Sequence, residues 1–202
     1  MPSNAPPLNV LALCGSLRKA SVNAALLRAA ASLARPGADV EIADWLGRLP
    51  LFNPDLEDVV ADVEVPRAVL ALRLAVDAAD AILIASPEYA HGISGTLKNA
   101  LDWLVSFEPF IHKPVAVLNA SPRAHHADDA LRETLRTMSA VIVEEACVAI
   151  PLLGAHLDED GMVAAPAVAA AVARALAALE AACAPHASEG EGGGDPAFPL
   201  EP

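Results

Sequence analysis

The stretch from residue 81 to 103, AILIASPEYAHGISGTLKNALDW, restricts the fold more than any other part of the chain. Ala81 to Ala85 is apolar at every position, the pattern of a strand buried on both faces inside a parallel sheet. Pro87 has no N–H to give to a ladder, so the strand ends there. Glu88 and Tyr89 fall in the loop that follows, and Leu97, Leu101 and Leu104 then recur at helical spacing. A strand leading at once into a helix is the repeating half of a parallel α/β sheet, which binds ligands beyond the carboxyl ends of its strands. Gly92 and Gly95 are read as positions of unusual backbone conformation, open to close approach by a flat ring or a phosphate.

The same unit recurs along the chain. Asn9 to Cys14 is a first apolar strand, and it ends in GSLRKASVN (Gly15 to Asn23) before a helix that runs to about Arg35. A turn of small and hydroxyl residues, an arginine and a helix N-terminus together cradle a phosphate through backbone N–H groups, hydroxyls and the helix dipole. Asp39 to Trp45 reads as strand two. Leu49, Leu51 and Phe52 in the following loop are too apolar for open solvent and are expected to cover the ligand site or a subunit neighbour. Val65 to Ala79 is helical, with Pro66 in its first turn.

Val115 to Asn119 is strand four and delivers the loop SPRAHHAD to the same edge. Asp128 to about Ala140 predicts helix four, Ala146 to Ile150 a fifth strand, and Leu157 to Met162 a turn. Val168, Val172, Leu176, Leu179 and Cys183 then line one face of a last helix. Five strands alternating with helices predict a doubly wound, five-stranded parallel sheet of flavodoxin-like order 2-1-3-4-5, with helices on both faces. One domain over residues 8–184 is expected, between a disordered lead-in (1–7) and a disordered acidic Gly/Pro tail (185–202).

Composition narrows the partners. A formal charge of -13 argues against nucleic acid and anionic membrane surfaces. The cysteines at 14, 147 and 183 form no CxxC pair and suggest neither a disulfide framework nor a metal site. With no basic, signal-like N-terminus, a cytoplasmic location is expected. The Ala-rich stretch 164–182 is the nearest thing to a membrane span, but Pro166, Arg174 and Glu180 interrupt it, and it reads as a packed helix.

GSLRKASVN, the LPLFNPDLE loop, SPEYAHGISGTLKNALDW and KPVAVLNAS, in this order and at these separations, resemble the NAD(P)H-dependent FMN reductase family, which includes quinone, azo and chromate reductases. The resemblance spans roughly residues 8–180. It implies a flavodoxin-like fold holding FMN non-covalently, with NAD(P)H as co-substrate, a small-molecule electron acceptor, and a homodimer or homotetramer. By the same resemblance the FMN phosphate falls on Ser16, Arg18, Ser21, Val22 and Asn23. The flavin ring and ribityl chain fall on Pro87, Glu88, Tyr89, Ala90, His91 and Gly92, with Ser121 facing the ring from the loop after strand four. No catalytic side chain is implied, because the hydride goes to flavin N5.

Two departures from the family pattern stand out. PEYN is PEYA here, and the carboxamide missing at Ala90 removes a hydrogen bond worth roughly 1 kcal/mol unless His91 or a backbone group replaces it. The loop after strand four, commonly glycine-rich, carries Arg123, His125 and His126, which are expected to narrow the space above the ring or to meet an anionic acceptor or the NADPH phosphate. If that loop blocks a nicotinamide, the alternative is a flavin-binding regulator or electron carrier without reductase activity. Cys14 and Arg18 have three residues between them, too few for a phosphatase loop, and Cys14 reads as a small buried residue. His125 and His126 are adjacent without a third ligand and read as metal-free. Lys98, Asn99 and Asp102 read as capping, packing or subunit contacts, and Trp103, Phe107 and Phe110 as core or interface.

Overall fold

The computed structural model describes residues 7–57 and 65–184, so the disorder expected of the lead-in and the tail falls almost wholly outside the described residues. In chain order the elements are β1 (Leu8–Cys14), α1 (Val22–Leu33), β2 (Ala38–Ala43), α2 (Arg67–Ala78), β3 (Ala81–Ala85), β4 (Glu88–Tyr89), β5 (Gly92–Ile93) and α3 (Gly95–Asp102). They continue with β6 (Pro114–Asn119), α4 (His125–Thr137), β7 (Val141–Ile142), β8 (Val148–Ala149), α5 (Glu159–Ala164) and α6 (Pro166–Cys183).

The main sheet runs β2-β1-β3-β6-β7, every pair parallel, with β8 also pairing with β6. This is the doubly wound order expected from the sequence. Successive side chains of a strand point to opposite faces, and the core follows that period. Val10, Ala12, Leu83, Ala85, Ala116 and Leu118 pack on one face against α1, α5 and α6, while Leu11, Leu13, Ile82, Ile84, Val115 and Val117 pack on the other against α2, α3 and α4. The face toward α1 and α6 is rich in alanine on both sides of the contact, so helices and sheet approach closely without large side chains.

The structure corrects the sequence reading in three places. The fifth strand is two short pieces, β7 and β8, on either side of a helical turn at Glu144–Ala146. The ladder breaks because Val117 N–H donates to the Cys147 thiol (3.3 Å) between the segments that pair with β7 and β8. Residues expected to form a turn at 157–162 instead open α5, whose N-cap Asp158 accepts the Gly161 N–H at 2.9 Å. Helix α4 starts three residues before the expected Asp128. Pro166 begins the last helix, at a position where a missing N–H costs nothing. By length and composition α6 could cross a bilayer, yet its Val172, Ala175 and Leu179 sit in the core against the sheet.

The apolar loop before α2 is held by α3. Asn99 donates from Nδ2 to the Pro50 carbonyl (2.9 Å) and accepts the Phe52 N–H on Oδ1 (2.8 Å), and Trp103 Nε1 donates to the same carbonyl (2.8 Å). Phe52 meets the Trp103 ring edge-on at 5.0 Å. Leu49, Trp103 and Phe110 belong to the core, whereas Leu51 and Val105 are exposed at 84% and 64%. An interface reading of these two stretches therefore narrows to Leu51, Val105 and their surroundings.

Candidate functional site

Three strand ends meet at one edge of the sheet. The loops after β1, β3 and β6 enclose a cleft of about 370 Å³, lined by Ser16, Arg18, Ser21, Val22 and Asn23 from the first, Pro87, Glu88 and Tyr89 from the second, and Ser121 and Arg123 from the third. Ala90, His91 and Gly92 lie just beyond this lining. Gly15 keeps the first two loops together: its N–H donates to the Ala85 carbonyl (2.9 Å), and a Cβ built on it would stand 2.2 Å from Ser86 Oγ and 2.7 Å from Ser94 Oγ. Neither serine nor the packing reason for Gly15 was evident from the sequence, because the clash is with residues seventy positions away.

The first loop delivers the open end of α1. Ser21 caps the helix, accepting the Ala24 N–H on its side chain (3.2 Å) and the Ala25 N–H on its carbonyl (3.0 Å). The amides of Val22 and Asn23 remain without intrahelical acceptors, as helix geometry requires of the first turn. Arg18 lies beside them, its own N–H on Ser16 Oγ at 3.4 Å. Asn23 is buried, and its Oδ1 has no hydrogen-bond partner among the described residues. A buried polar atom left unpaired costs about 1–3 kcal/mol. The two ends of a carboxamide are told apart only by their partners, so a ligand hydroxyl, or with the amide reversed a phosphate oxygen, completes this corner. Burial pushes the neighbouring Cys14 thiol up, against hydrogen bonds to Ser16 and Ser21, so it stays protonated at neutral pH and is no nucleophile.

The second loop is a small hairpin. β4 and β5 pair antiparallel, Tyr89 opposite Gly92, and the two residues between them, Ala90 and His91, have φ of 49° and 59°. A two-residue hairpin of this kind needs φ above zero at both positions, which Asn and Gly adopt at less cost than Ala. The unusual backbone expected at Gly92 and Gly95 is thus at Ala90 and His91 instead; φ at both glycines is ordinary and neither is crowded. The asparagine of the family's PEYN pattern therefore has a conformational reason to stand where Ala90 does, independent of any flavin contact.

Glu88 links this hairpin to the third loop. Its Oε2 accepts the Ala127 N–H at 2.9 Å, in the first turn of α4, whose own N-cap Ala124 offers no side chain. Its Oε1 lies 3.1 Å from His91 Nδ1. The Ala127 hydrogen bond, followed by that to His91 and the charges of His91 and His126, holds the Glu88 carboxyl below the usual carboxylate range against the opposing effect of desolvation. His91 and His126 meet edge-on at 4.4 Å, and His125 and His126 lie 4.1 Å apart. Ser121 is nine-tenths buried, its N–H on Asn119 Oδ1 at 2.9 Å.

Known proteins fit this arrangement. The family model described as NADPH-dependent FMN reductase matches residues 8–153, and the chain belongs to that family. An NAD(P)H-dependent FMN reductase of Pseudomonas aeruginosa is 46% identical over 116 residues, 56% of this chain and 60% of that protein. A probable NADPH:quinone oxidoreductase of Oryza sativa is 48% identical over 119 residues, 57% of this chain and 59% of that one. The alignments thus span less than two thirds of these curated relatives. Among solved structures, a flavoenzyme NAD(P)H:(acceptor) oxidoreductase from Paracoccus denitrificans superposes with a TM-score of 0.69 at 26% identity, over 86% of this chain and 98% of that one. The residues present fit FMN, the cofactor of the family: free helix amides, an arginine and an unpaired buried carboxamide at one end of the cleft, and a hairpin wall at the other.

Proposed function

We propose that residues 8–184 form one domain that binds FMN in this cleft and acts as an oxidoreductase, taking hydride from NADPH or NADH and passing electrons to a small acceptor such as a quinone, a free flavin or an azo compound. The observation that carries this reading is the cleft itself. An open helix N-terminus with Arg18 lies at one side, and the Pro87–Tyr89 wall faces the β6 loop at the other, which matches a molecule with a phosphate at one end and a flat ring at the other.

Bound FMN supplies the hydride-accepting centre, N5 of the ring. The chain's own residues orient and enclose it. The Val22 and Asn23 amides, Ser16, Ser21 and Arg18 hold the phosphate by charge-assisted hydrogen bonds. Pro87 and Tyr89 border the ring, Ser121 closes the β6 side, and Glu88 fixes the hairpin against α4 so that the wall keeps its place. Ala120, Ala124 and Leu153 complete an apolar margin that limits water.

The same reading makes the protein a cytoplasmic homo-oligomer, a dimer or tetramer, with Leu51 and Val105 as contact points. The test is anaerobic titration of the FMN-loaded protein with NADPH and, separately, NADH, following loss of oxidised-flavin absorbance against free FMN. Rapid, saturable bleaching is expected. Bound flavin that bleaches no faster than free FMN overturns the reductase reading and leaves a flavin carrier or regulator.

A further inference from the structure

Arg123 is an exposed cation on the wall of the cleft. The protein carries a formal charge of -13; of the eight arginines outside the cleft, Arg28, Arg48, Arg73, Arg132 and Arg136 lie within 4.0 Å of a carboxylate, and Arg35, Arg67 and Arg174 have no such partner among the described residues. The two that line the cleft, Arg18 and Arg123, have no such partner among the described residues. Glu88 is the one carboxylate among the described lining residues, and both its oxygens are engaged, by the Ala127 N–H and by His91. A cation left without a counter-charge on the wall of a cleft is available to a ligand.

Arg123 and Arg18 do not duplicate one another. Arg18 follows β1 and sits beside the open end of α1. Arg123 follows β6, two strands further along the sheet, so the two loops leave the sheet about 10 Å apart, with the β3 loop and its hairpin between them. Nor is Arg123 alone: the His125 ring is 3.2 Å from its carbonyl oxygen through Nδ1 and packs on His126.

Resting on the proposed function, we infer that Arg123 is a specificity residue that binds an anionic group of the molecule docking over the flavin. A phosphate or sulfonate oxyanion is what a guanidinium fork recognises. Two sources supply it, the 2′-phosphate of NADPH and an anionic substituent on the electron acceptor. On the proposed function the Arg18 end of the cleft takes the cofactor phosphate, so the second anion belongs to the second molecule.

Calorimetric titration of the purified protein, with its flavin content recorded, separates the two sources. Wild type, Arg123→Ala and Arg123→Lys are each titrated with NADP⁺, NAD⁺, anthraquinone-2-sulfonate and neutral menadione. Loss of a charge-assisted contact weakens binding about tenfold or more, and the lysine variant, which keeps the charge, is expected to fall between wild type and alanine. Weaker NADP⁺ with unchanged NAD⁺ assigns Arg123 to the coenzyme phosphate. Weaker sulfonate with unchanged menadione assigns it to the acceptor. No change in either anionic probe, no binding of either by the wild type, or equal loss across charged and uncharged members of a pair overturns the inference. Failure of the reductase reading shows elsewhere, as absent bleaching by NADPH and NADH, and leaves the calorimetric result intact.

Discussion

Glu88 Oε2 accepts the backbone N–H of Ala127 at 2.9 Å, so a side chain from the hairpin after β3 caps a helix through a residue 39 positions later. The carboxylate that the sequence offers to the flavin is thereby committed to holding two walls of the cleft together. A carboxyl held below its ordinary value stabilises the fold above the unfolded value, here 4.5, and that stability is lost as pH falls through the folded value. Glu88→Ala is therefore expected to lower the melting temperature at neutral pH, and the gap to wild type is expected to close on acidification below 4.5. Melting curves of both proteins across that range check the sign; a gap that widens in acid contradicts it.

Ala90 occupies a left-handed position at the first residue of the hairpin turn, with φ of 49°. Relief of that strain by Ala90→Gly or Ala90→Asn is expected to stabilise the protein by roughly 0.5–1 kcal/mol, the glycine somewhat less because it also frees the unfolded chain. Chemical denaturation of the FMN-free protein reads this directly. Comparing FMN affinity of the two variants then separates the turn from the carboxamide: a gain for asparagine beyond that for glycine belongs to a contact with the cofactor.

Gly15 has no room for a methyl group, since a Cβ would fall 2.2 Å from Ser86 Oγ and 2.8 Å from Ser86 Cβ. Gly15→Ala is expected to force apart the loops after β1 and β3 and to cost about 1–3 kcal/mol. FMN affinity should fall with it, measured by quenching of free flavin fluorescence. Gly15→Ala combined with Ser86→Gly, which removes both Ser86 atoms and leaves Ser94 Oγ at 2.7 Å, is expected to recover part of the stability.

Asn99 uses both ends of its carboxamide on the 50–52 segment. Asn99→Ala is expected to cost about 1–2 kcal/mol from two lost hydrogen bonds, with the loop rather than the cleft affected. Hydrogen exchange should show the Phe52 amide losing protection while the amides of β1 and β3 keep theirs.

Much of the architecture was legible in the residue order because it depends on local pattern. The continuous apolar runs at 81–85 and 115–119 could only be strands of a parallel sheet, the helical spacing after each set the crossovers, and GSLRKASVN marked a turn opening a helix. Where tertiary contacts override local preference, the pattern misled. The fifth strand splits around a helical turn at Glu144–Ala146 because one backbone N–H of β6 goes to a thiol instead of the ladder, and LDEDGM starts a helix because Asp158 caps it. Trp103 and Phe110 looked equally suited to core or interface until packing placed both inside.

The sequence by itself determined the sheet order, the edge at which the cleft opens and the family to which the chain belongs, since these follow from hydrophobic period and from motifs read along the chain. Only the tertiary structure decided what individual site residues do. It placed the strained turn on Ala90 and His91 although the glycines stand beside them, gave the Glu88 carboxylate a helix to cap, and left Arg123 without an ion-pair partner among the described residues. The Glu88 cap depends on a partner distant in sequence, Ala127, and such a pairing is set by how loops from separate strands converge.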